Sequence, residues 1–120
     1  MKVRRYLWMA GIAWLAASLT GFSQDAASME KGKEILKSIS PKCSMCHAIA
    51  GQGNPRNPLD GIGSKLSANE IKAWIRTPKE MAVKAKSEVK PPMSAYTKEK
   101  LSDADLDSLV AYLLSLKTTK

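Results

Sequence analysis

Residues 43–47 read Cys-Ser-Met-Cys-His, and they hold the only two cysteines and the only histidine among 120 residues. Two thiols three positions apart with an imidazole directly after them form the attachment pattern of a c-type haem. In that pattern Cys43 and Cys46 each add to one vinyl group of the porphyrin, and the same turn carries His47 under the iron as an axial ligand. The expected cofactor is one covalently attached haem c. A chain built this way must fold around a flat apolar plate bonded to its own backbone.

Three plainer readings of Cys-x-x-Cys compete. A dithiol redox motif wants the pair at a helix N-terminus inside a βαβ pattern, where the dipole lowers a thiol pKa; no such strand pattern surrounds residue 43. A structural zinc normally takes four Cys or His ligands, and the chain offers three. A disulfide closing so short a loop adds little, because the entropic gain grows with loop length.

Residues 1–23 read as an export signal, and residues 24–120 as one domain. Lys2, Arg4 and Arg5 form a positive start, Tyr6 to Ala17 is apolar, and Gly21-Phe22-Ser23 offers small residues for a cut after Ser23. The alternative is an uncleaved anchor, although the apolar run from Tyr6 to Phe22 is slightly short for a span of about 20 residues. Either way the expected location is exported, periplasmic, where haem of this type is attached. The formal charge of +8 then falls to +5 for residues 24–120, with 16 basic and 11 acidic groups. So modest a surplus suits redox protein partners with acidic docking faces, and with so few aromatics it does not suit nucleic acid.

The pattern after residue 24 is helical, with no convincing strand. Ala27 to Ile39 places Met29, Gly32, Leu36 and Ile39 on one face, with Ile35 beside them, and Pro41 ends the run. Residues 51–63 contain four glycines and two prolines and read as a loop. Ser67 to Glu70 is a capping box opening a helix with Ile71, Trp74 and Ile75 on one side. Thr77-Pro78-Lys79-Glu80 repeats the device, with Thr77 as cap and Pro78 at the first helical position. Pro91-Pro92 forces an extended strut. Ser102 caps the last helix, where Asp103, Asp105 and Asp107 meet the N-terminal dipole. Leu106, Leu109, Val110, Leu113 and Leu114 form its apolar stripe. The fold class is all-α: three main helices plus a short one wrapped around one haem.

With no second histidine, the sixth iron position falls to a methionine. Met29 lies on a core face, Met45 sits between the two cysteines, and Met81 falls within a helical turn. Met93 stands on the stiff strut 46 residues after His47, far enough along the chain to reach the other face of the ring. The metal ligands are therefore read as His47 and Met93. A soft sulfur raises the reduction potential, and a filled sixth site favours electron transfer over binding of oxygen or substrate. This describes a one-electron carrier and not an enzyme.

At this point the chain resembles the small monohaem cytochrome c family of the bacterial periplasmic kind. The likeness is carried by Cys43–His47, Pro58–Gly63, Ile71–Pro78, Pro91–Tyr96 and Leu106–Lys117. It implies that Gly32 crosses against Tyr112, that Leu59 packs on the haem, and that Trp74 lies along the ring near the Met93 sulfur. It also implies that a carbonyl in the loop before Leu59 bonds the far nitrogen of His47. The usual proline two residues before that leucine is here Asn57, with Pro58 one place later, which leaves the carbonyl unassigned. Arg76 and Lys65 face haem propionates in one reading and solvent in the other. Lys79, Lys84, Lys86, Lys90, Lys98 and Lys100 cluster around the strut, as a rim for acidic partners or as ordinary solvated charge. Two rival functions stay open: a haem c subunit or docking module of a larger oxidoreductase, and a ligand-binding haem protein with a labile methionine.

Overall fold

The computed structural model describes residues 21–118, with side chains from residue 25 onward. The expected export signal lies outside the described residues, save its last three, which open the first helix. Five helices occur in the order α1 Gly21–Ser38, α2 Ile62–Lys65, α3 Ala68–Arg76, α4 Pro78–Lys84 and α5 Asp103–Ser115. Among the described residues, no helix is long and apolar enough to cross a membrane.

The all-α expectation stands, with two refinements. There are two short helices, α2 and α4, beside the three main ones. The glycine-rich segment also contributes to a small sheet with strands β1 His47–Ile49, β2 Gln52–Gly53 and β3 Asn57–Pro58, in the order β2-β1-β3. Runs of two or three residues are too short to show an alternating pattern in sequence. β1 and β2 are antiparallel, with Ala48 opposite Gly53 and Ile49 opposite Gln52. The two residues between them, Ala50 and Gly51, both take positive φ (51° and 76°), as a tight hairpin turn requires.

Cap chemistry explains most helix boundaries. Ser67 Oγ accepts from the Glu70 amide at 3.3 Å, and the Glu70 carboxylate accepts from the Ser67 amide at 2.8 Å. Those bonds hold the Glu70 carboxyl below its ordinary pKa. Ser102 Oγ accepts from the Asp105 amide at 3.2 Å. Thr77 departs from expectation. Pro78 does open α4, but the Thr77 hydroxyl donates back to the Ala73 carbonyl at 3.1 Å and caps nothing ahead of it. Its position directly after α3 puts that carbonyl within reach, and the preceding helix and the next one compete for one side chain.

The core forms where α1, α3 and α5 meet. Ile39, Ile71, Ile75, Tyr96, Leu101, Leu106, Leu109, Val110 and Leu113 make one buried cluster, with Cys43, Leu59, Met93 and Tyr112 packed against it. α1 crosses α5 at Gly32, as the family resemblance implies. A Cβ there would penetrate the Ser108 carbonyl oxygen and lie 2.9 Å from Tyr112 Cβ. Backbone meets backbone at this point, so no side-chain rotation relieves the clash.

Gly32→Ala tests that crossing by its sign. In a free helix alanine is favoured by roughly 0.5–1 kcal/mol. Overpacking at the crossing should instead destabilise the domain by about 1–3 kcal/mol. A thermal melt of the haem-loaded variant should show a clearly lower midpoint; an unchanged or higher midpoint would mean that the helices do not touch at Gly32.

Candidate haem-attachment site

Each residue of Cys-Ser-Met-Cys-His is placed by bonds from farther along the chain. Cys43–Met45 form one 3-10 helical turn, closed by the Cys46 amide donating to the Cys43 carbonyl at 3.1 Å. Asn54 stitches this turn from outside. Its amide donates to the Ser44 and His47 carbonyls at 3.0 and 3.1 Å, and its side-chain Nδ2 donates to the Met45 carbonyl at 3.0 Å. Gly53, at φ +105°, lets the strand pass this close, because a Cβ there would strike the His47 carbonyl.

His47 opens β1, and β3 runs parallel to it with Asn57 opposite. The Asn57 carbonyl lies 2.9 Å from His47 Nδ1. A carbonyl has no proton to give, so Nδ1 is the donor and the neutral ring keeps its lone pair on Nε2. This bond fixes both ring orientation and tautomer, the usual arrangement for a metal-binding imidazole. It answers the question left by the shifted proline: Asn57 itself supplies the carbonyl. The Leu59 amide donates to the Ala48 carbonyl at 2.8 Å, and Asp60 accepts from the Ala50 amide at 2.9 Å, which lock the register.

Cys43, His47 and Leu59 line one concavity together with Leu36, Ile49, Tyr112 and the lysines 33, 37 and 42. Both thiols are free, Cys43 half-buried and Cys46 exposed. Burial pushes the Cys43 thiol above its ordinary pKa. Met93 is half-buried against the shared core but lines a different concavity, with Thr77, Pro78, Lys79 and Glu80 from the start of α4. Trp74 is half-buried on α3 between buried Ile71 and Ile75 and lines neither concavity.

Two residues near the site carry more than their sequence suggested. The Arg76 guanidinium donates to the Tyr96 carbonyl at 2.8 Å and to Asp103 at 2.9 Å, so it braces the strut. Lys65 is exposed. Tyr96 is 6% exposed, and its hydroxyl donates to the Pro41 carbonyl. Burial raises its pKa to about 12, with the neighbouring Cys43 adding to the effect. The sequence signal for Asn54 was only that of a turn residue before proline, and that for Tyr96 only its place after the strut.

The donor set suits a covalently held haem. Two thiols on one turn, a tautomer-fixed imidazole beside them and an apolar wall from Leu36, Ile49, Leu59 and Tyr112 are what the attachment chemistry needs. The zinc reading loses ground, since no group of three or more Cys, His, Asp or Glu is placed to hold a metal ion among the described residues. The dithiol reading fares no better without a βαβ unit around Cys43.

Comparison with curated proteins and with solved structures found no match. A family model, Cytochrome c, matches residues 29–117, from Met29 within α1 through the end of α5. A domain of this family binds haem c covalently and transfers electrons to and from other redox proteins, and Cys43 and Cys46 fit the attachment. The chain belongs to the cytochrome c family.

Proposed function

We propose that this protein is an exported one-electron carrier whose haem iron is held between His47 and Met93, and that it delivers electrons to partners with acidic docking faces. The observation that carries the ligand assignment is the Asn57–His47 bond, which leaves Nε2 bare beside the two attachment thiols. When bound, the haem supplies a one-electron couple. Cys43 and Cys46 anchor it to the turn that Asn54 holds in shape. His47 offers Nε2 from a ring that cannot rotate away. Met93 offers a thioether from a segment stiffened by Pro91 and Pro92 and packed on the same core as Cys43 and Leu59. Two side chains that keep their places in both oxidation states leave no coordination position for a substrate, and they keep structural rearrangement small.

The charge distribution supports the partner assignment. Of the six lysines near the strut, Lys98 is paired with Asp103 at 3.0 Å. The others, including Lys79 beside Met93, have no ion-pair partner among the described residues. Lys33, Lys37 and Lys42 border the His47 concavity as well. Lys37 is paired with Glu34 at 3.0 Å, which leaves Lys33 and Lys42 as the cations without an ion-pair partner on that side among the described residues. Rims of such cations act chiefly on association rate.

Four measurements test these assignments. The visible spectrum of the exported protein should show a low-spin, thioether-ligated haem that stays with the denatured chain, and Met93→Ala should lose the thioether signature. Reduced wild type should bind carbon monoxide poorly and Met93→Ala rapidly; fast stoichiometric binding by wild type would overturn the closed-site reading. Electron transfer to an acidic redox partner should slow steeply as the screening length falls from about 10 Å at 0.1 M salt to about 3 Å at 1 M. A flat dependence would remove the acidic-face assignment. The intact mass of the exported chain should match a start at or within a few residues of Gln24, and a full-length mass would show an uncleaved N-terminus.

A further inference from the structure

Met93 sits in a segment with little else to hold it. Among the described residues, no hydrogen bond joins residues 88–95 to the remainder of the domain. The last tie upstream is the Ser87 amide to the Ala82 carbonyl at 2.9 Å. Pro91 and Pro92 stiffen the segment but donate nothing. The first tie downstream is Tyr96, three residues beyond Met93, and it is threefold. Its amide donates to the Ile75 carbonyl at 3.0 Å, its carbonyl accepts from Arg76 at 2.8 Å, and its hydroxyl donates to the Pro41 carbonyl.

These ties run to two separate places. Ile75 and Arg76 belong to the end of α3. Pro41 stands two residues before Cys43, on the segment that leads into the attachment turn. We propose that Tyr96 is the positioning residue for the sixth iron ligand: by bonding Pro41 it fastens the Met93 segment to the haem-attachment segment and sets how often the thioether lets go. The inference rests on Met93 being that ligand.

The physical argument concerns populations. A thioether is a weak ligand, so the segment exchanges between a closed form and a minor open one. A competing base binds only the open form, and its apparent affinity is its intrinsic affinity scaled by the open fraction. Tyr96→Phe keeps the buried ring and removes only the hydroxyl. The cost of one lost neutral hydrogen bond, if that bond is made in the closed form alone, raises the open fraction by about fivefold. Nothing in this step moves an electron; one neutral donor replaces another.

Imidazole is the probe, titrated against haem-loaded, ferric protein as exported and followed in the visible spectrum, with a thermal melt of each variant alongside. Met93→Ala should bind it far more tightly than wild type. Tyr96→Phe should bind it about fivefold more tightly, as the lost bond dictates. Arg76→Met, which cuts a different tie to Tyr96, should shift the affinity in the same direction and decides the matter should Tyr96→Phe fail to mature. Ser67→Ala removes a cap remote from the strut; it should lower the melt yet keep wild-type affinity. Wild-type affinity in Tyr96→Phe and Arg76→Met, with Met93→Ala still tighter, would overturn the positioning role alone. An equal shift in Ser67→Ala would overturn it too, by tracing the effect to global stability. Wild-type affinity in Met93→Ala would remove the ligand assignment and this inference with it.

Discussion

Where α1 passes over α5, the separation of the two backbones is set by the absence of a side chain at Gly32, which rests on the Ser108 carbonyl. The rest of the architecture depends on that contact. The close crossing brings Leu36 from α1 and Tyr112 from α5 to the same wall of the His47 concavity. It also fixes where α1 ends, and the chain runs from that end through Pro41 into the attachment turn. A wider crossing would carry the wall away from the thiols.

Around the attachment turn the forces are of a different kind. The core is apolar, but the site itself is assembled from carbonyls. Asn54 gathers three of them from the turn, Asn57 lends one to His47, Tyr96 takes one from Pro41, and Arg76 takes one from Tyr96. Such bonds are directional where hydrophobic contact is not. A ring that must face a metal at one angle is better aimed by a carbonyl than by a methyl group.

What could be read from the chain alone divides along this line. The apolar stripe of α5, the Ser67 and Ser102 caps and the Pro78 start of α4 all depend on neighbours a few residues away, and each was legible. Gly32 against α5 was legible through family resemblance, because a lone glycine on a helix does not name what it touches. Long-range polar partners were not legible. Arg76 could equally have met a propionate, and only the fold brings Tyr96 and Asp103 to its guanidinium. The carbonyl for His47 depended on a parallel strand pairing of two residues, and Thr77 on a choice between two helices close at hand. Trp74 lies on the helix where the sequence puts it and lines neither concavity.

The first two turns of α5 carry three aspartates, and each is engaged within the chain: Asp103 by Arg76 and Lys98, Asp105 by Lys31, and Asp107 by Lys72. Lys98 and Arg76 draw the Asp103 carboxyl below its usual pKa, and Lys31 does the same for Asp105. Exposed pairs of this sort add little to folding. Their effect is to balance the three carboxylate charges where they lie. Each pair also ties the start of α5 to another part of the chain, Asp103 to α3 and to Lys98 beyond the strut, Asp105 to α1 and Asp107 to α3, so that one helical end fastens three segments at once.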